Sequence, residues 1–70
     1  MVNRLQPDRL RANAETELRI ARRAWWELRQ YGLITPTRWE EVTAAAGEIA
    51  TADIWAKVDI YQNAIRQVKG

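Results

Sequence analysis

The chain is predicted to fold as an all-α domain, and three observations carry that prediction. Its apolar residues recur every three or four positions over long stretches. Along the first of these stretches, Leu10 to Leu28, the spacing runs four, four, three, four and three, which is the face of a helix and not of a strand. One stretch, Trp25 to Trp39, combines a helix stop with a helix start.

That stretch reads WWELRQYGLITPTRW. Gly32 suits the left-handed position just past a helix end, where a Cβ would be strained. Leu33 is placed to fold back over the last turn in a Schellman stop. Thr35 is a natural cap for the next helix, and Pro36 fits a first helical position that needs no N–H. So short a connection sets the two helices antiparallel.

The first helix is expected over about residues 7–31. Leu10, Ala14, Leu18, Ala21, Trp25 and Leu28 form its apolar stripe, widened by Ala24 and Tyr31. Pro7 and Asp8 suit its first turn. Residues 1–6 are expected to be a short arm of one single domain, residues 1–70.

The second helix is expected over about residues 36–68. Trp39, Val42, Ala46, Ile49 and Ala50 form one apolar run. Ile54, Val58, Tyr61, Ile65 and Val68 continue it with little drift. Gly47 opposes continuity by about 1 kcal/mol relative to Ala. The alternative is a break near Gly47–Thr51, with Thr51 capping a third helix and a three-helix bundle resulting.

In the continuous version Tyr61, Ile65 and Val68 overhang the first helix. Two helices alone leave apolar flanks wet, so a second copy is expected to complete a four-helix bundle. In hairpin, length and expected dimer the architecture is similar in outline to the plasmid RNA-binding protein Rop, with no shared motif.

Seventy residues without cysteine or histidine exclude several chemistries. Disulfides, thiolate nucleophiles and the commonest metal ligand and general base are all missing. Glu40, Glu41 and Glu48 make no metal-ligand pattern, and Asp53 stands alone. There is no Gly-rich phosphate loop and no nucleophile elbow. Neither catalysis, a cofactor nor a metal site is expected. A helix-turn-helix reading fails because Glu48 and Asp53 fall where that motif packs apolar side chains.

Charge is unevenly placed. Residues 1–34 carry seven arginines against four acids, a net +3, while residues 35–70 carry four basic groups against five acids, a net −1. Arg19, Arg22, Arg23 and Arg29 surround Trp26 on the first helix. Guanidinium groups pair with carboxylates and phosphates and stack on aromatics, and Trp with Arg anchors many interfaces. Against this, Glu15 and Glu27 sit four residues from Arg19 and Arg23, as in an ordinary solvated face.

The face is therefore expected to dock on a larger protein, as a small regulator, inhibitor or adaptor of the phage or mobile-element kind. The alternative is a nucleic-acid-binding dimer using the same arginines. Trp55, Tyr61, Ile65 and Val68 are candidate oligomer or partner contacts. No apolar run is long enough for a signal peptide or a membrane span, and acids on the Arg-rich face disfavour membrane-surface binding. A cytoplasmic setting is expected.

Overall fold

The computed structural model describes the backbone of residues 7–69 and the side chains of residues 13–69. The arm expected over residues 1–6 lies outside the described residues. Among the described residues there are three helices: α1 (Pro7–Gln30), α2 (Pro36–Gly47) and α3 (Ile54–Lys69).

The α1–α2 turn forms through the residues that encode it. Gly32 has φ +70. The Leu33 N–H donates to the Leu28 carbonyl at 2.9 Å and the Gly32 N–H to the Arg29 carbonyl at 3.1 Å. This is the paired bonding of a Schellman stop. Thr35 Oγ1 accepts the Arg38 N–H at 3.2 Å, which satisfies one of the orphan donors at the start of α2. The Leu33 side chain itself stays exposed, and half-buried Ile34 packs on the core instead.

The continuous helix 36–68 does not form. α2 stops at Gly47, and residues 48–53 turn the chain back. The Glu48 N–H is shared between the Ala44 and Ala45 carbonyls, at 3.1 and 3.2 Å. The Asp53 N–H then closes a turn onto the Ala50 carbonyl at 2.9 Å. Thr51 lies within this turn, and α3 begins after Asp53, whose carbonyl accepts the Lys57 N–H at 3.4 Å.

Burial explains the break. Folding back buries Ile54, Val58, Tyr61 and Ala64. Each large apolar side chain gains roughly 1.5–3 kcal/mol when covered. A helical hydrogen bond forgone is worth only about 1 kcal/mol net. A straight helix would have carried Tyr61 and Ala64 past the start of α1 and out of its reach. Tyr61 therefore packs against Trp25, with centroids 6.0 Å apart, and does not overhang.

The topology is up-down-up. Trp25 faces Thr43 and Arg29 faces Glu40, so α1 and α2 are antiparallel. Lys57 reaches Ala46, while a shallow groove joins Arg38 to Gln67, so α2 and α3 are antiparallel too. α1 and α3 consequently run parallel, with Trp25 level with Tyr61.

The core runs along the inner stripe of α1: Ala14, Leu18, Ala21, Trp25 and Leu28. Val42 and Ala46 cover it from α2, and the four buried residues of α3 close it. Tyr31, expected to widen the stripe, is 74% exposed because it lies past the last helical turn. Ala50 is likewise exposed in the α2–α3 connection.

Candidate functional site

Trp25 and Trp39 fix how α1 meets α2. Their rings stack at a centroid distance of 6.0 Å and an interplanar angle of 9°. The Trp39 indole N–H donates to the Trp25 carbonyl at 2.8 Å. The Trp25 indole N–H donates to Thr43 Oγ1 at 2.9 Å, and that hydroxyl donates to the Trp39 carbonyl at 2.8 Å. Both indoles are thus satisfied across the interface, as buried Trp requires. This pair is core, and it sets the rotation of α1 about its own axis.

That rotation turns Arg19, Arg22 and Trp26 to solvent on the α2 side of α1. Trp26 is 48% exposed. Arg23 Nε bonds Glu27 Oε2 at 3.1 Å, and its guanidinium carbon lies 5.7 Å from the Trp26 ring centroid. Both contacts are solvent-exposed, so each is worth well under about 1 kcal/mol. Arg19 and Arg22 have no acidic partner among the described residues.

Arg29 is placed differently. Its guanidinium lies 5.0 Å from the Trp39 ring centroid and 4.0 Å from Glu40 Oε2. It straps α1 to α2 and is already engaged. The five residues expected to act together therefore divide. Arg19, Arg22 and Trp26 form an open surface, Arg23 borders it, and Arg29 is held at its edge.

No family model, curated protein or solved structure matches this chain.

The second expected group also divides. Tyr61 is buried in the core, while Ile65 and Val68 are half-buried against it. Trp55 is 43% exposed on the outer side of α3. Among the described residues no three or more acids gather to hold a metal ion, and no helix is long and apolar enough to cross a membrane.

Ile20 was not legible as a surface residue of interest, yet it is 59% exposed. It lies about 120° round α1 from Trp26, so the two belong to different faces. A shallow groove runs beside it between Arg19, Arg23, Ala24 and Glu27. The signal was present in the sequence as a large β-branched residue off the apolar stripe.

Proposed function

We propose that the chain is a non-enzymatic protein-binding module. As a small regulator, inhibitor or adaptor, it docks on a larger protein through Arg19, Arg22 and Trp26 of α1, with Arg23 at the border. One observation carries this reading: a tryptophan stays half-exposed beside two arginines that no acid among the described residues pairs with. Interface energy concentrates in such Trp and Arg anchors.

The nucleic-acid reading draws on the same arginines. It is the weaker one, because Arg23 and Arg29 already spend their charge on Glu27 and Glu40. Two open guanidinium groups give a shallow field for a polyanion. The dimer expected from a two-helix hairpin also loses its original motive, since three helices of one chain enclose the core.

The test uses purified chain, Trp26→Ala, and the double variant Arg19→Ala/Arg22→Ala. Proteins retained on immobilised wild-type chain are identified, purified and titrated against all three. Labelled RNA and DNA of about 20 nucleotides are titrated in parallel at low and moderate salt. The proposal expects one protein to bind, with Trp26→Ala weakening it at least about tenfold. Binding to oligonucleotides with a steep salt dependence and strongest loss in the arginine variant supports the alternative. A partner that binds all three forms equally removes both readings.

A further inference from the structure

The face between α1 and α3, on the side away from α2, carries two matching stripes. On α1, Ile20, Ala24 and Glu27 follow at intervals of four and three, and Tyr31, just past the helix end with its N–H still on the Glu27 carbonyl at 2.9 Å, comes four later. On α3, Trp55, Asp59, Gln62, Arg66 and Lys69 follow at four, three, four and three. Such spacing keeps residues on one side of a helix. The other flank of α3 is taken by α2, through Lys57, Ile60 and Ala64. The two stripes therefore lie side by side.

Each stripe is complementary to its own reverse. Turned end for end about Gln62, the α3 stripe sets Asp59 on Arg66 and Trp55 on Lys69. Turned about the midpoint between Ala24 and Glu27, the α1 stripe sets Ile20 on Tyr31. The two centres lie at the same height, because α1 and α3 are parallel and Trp25 is level with Tyr61. One axis thus serves both stripes.

We infer that this face is the contact between two copies of the chain, related by a two-fold axis crossing α1 and α3 at the level of Gln62. In that dimer Asp59 pairs with the partner's Arg66, and the reverse pair forms by symmetry. Trp55 lies under the partner's Lys69, a cation over an indole face. Ile20 packs on the partner's Tyr31.

The charges are available for this. Asp59, Arg66 and Lys69 have no ion pair within the chain among the described residues. Arg66 bonds only the Asn63 side chain, at 2.6 Å, on the exposed surface. Ile20, Tyr31 and Trp55 supply the exposed apolar area. The face is about two helices wide, so a small contact and a weak, concentration-dependent association are expected. The Arg19–Arg22–Trp26 surface lies on the other flank of α1, so a dimer presents two free copies of it. The inference stands independently of what that surface binds.

Sedimentation equilibrium of the full chain from about 5 to 500 μM tests it. Four variants accompany the wild type: Asp59→Arg, Arg66→Asp, the two combined, and Glu41→Arg on α2 as a charge-reversal control. Circular dichroism establishes that each is folded. The wild type should show a monomer–dimer equilibrium. Each single reversal on α3 should weaken association at least about tenfold, because like charges then meet across the axis. The combined swap should restore it to within about threefold, and Glu41→Arg should leave it unchanged. A wild type monomeric throughout overturns the inference. So does equal weakening by Glu41→Arg, or a folded swap variant that stays monomeric.

Discussion

Trp39 donates its indole N–H to the backbone carbonyl of Trp25 at 2.8 Å, across two helices whose tryptophan rings are stacked. The same carbonyl belongs to a residue whose own ring lies against Tyr61 of α3. Position 25 is therefore where all three helices meet.

Trp39→Phe should keep most of the ring contact and lose the hydrogen bond. The expected cost is about 1–2 kcal/mol, read from urea unfolding followed by circular dichroism. Trp25→Ala should cost about 3–5 kcal/mol, which is enough to unfold a domain of this size. A Trp39→Phe protein as stable as the wild type would mean that the cross-helix bond adds nothing net to stability.

Thr43 separates hydrogen bonding from shape. Its hydroxyl accepts from Trp25 and donates to the Trp39 carbonyl. Thr43→Val keeps the volume and orphans the indole N–H, so a loss of about 1–3 kcal/mol is expected. Thr43→Ser keeps the hydroxyl and should cost clearly less in the same unfolding assay. A Thr43→Val protein as stable as the wild type would show that the network contributes nothing net.

Two glycines should respond with opposite signs to the same substitution. Gly32 sits at φ +70, so Gly32→Ala should destabilise by about 1 kcal/mol. Gly47 ends α2 without a positive φ, and a Cβ there meets nothing within 4 Å. Gly47→Ala should stabilise by about 0.5–1 kcal/mol through helix propensity and a less flexible unfolded chain. Thermal midpoints of the two variants, measured side by side, give the comparison.

Lys57 donates its ammonium to the Ala46 carbonyl at 2.7 Å, which otherwise accepts only long turn bonds, such as that from the Ile49 N–H at 3.3 Å, where α2 stops. Lys57→Met retains the aliphatic stem and removes the donor. A loss of about 1–2 kcal/mol is expected, the range for a bond with one charged partner. Faster amide exchange in residues 44–48 than in the rest of α2 should accompany it, and uniform exchange across α2 would argue against this role.

The helix class and the first turn were readable because each depends on local chemistry. Gly32, Thr35 and Pro36 specify their backbone whatever surrounds them. The second break was not decided locally. Gly47 is the last residue of a helix that ends without a left-handed cap, so the sequence there is compatible with continuing. What ends α2 is the burial of Tyr61 against Trp25 of α1, an event decided some distance along the chain. The binding face was legible in its residue types but not in its divisions. Whether Arg29 reaches solvent or Trp39 depends on the rotation of α1, which the Trp25–Trp39 pair sets.

The short tether between α1 and α2 also bears on the order of assembly. Their mutual hydrogen bonds join residues only 14 and 18 positions apart. Meeting Tyr61 requires closing a longer loop, which costs about 1 kcal/mol more in chain entropy. Pairing of the first two segments is the less costly early step on the way to the native state, and the terminal segment then completes a half-made aromatic cluster.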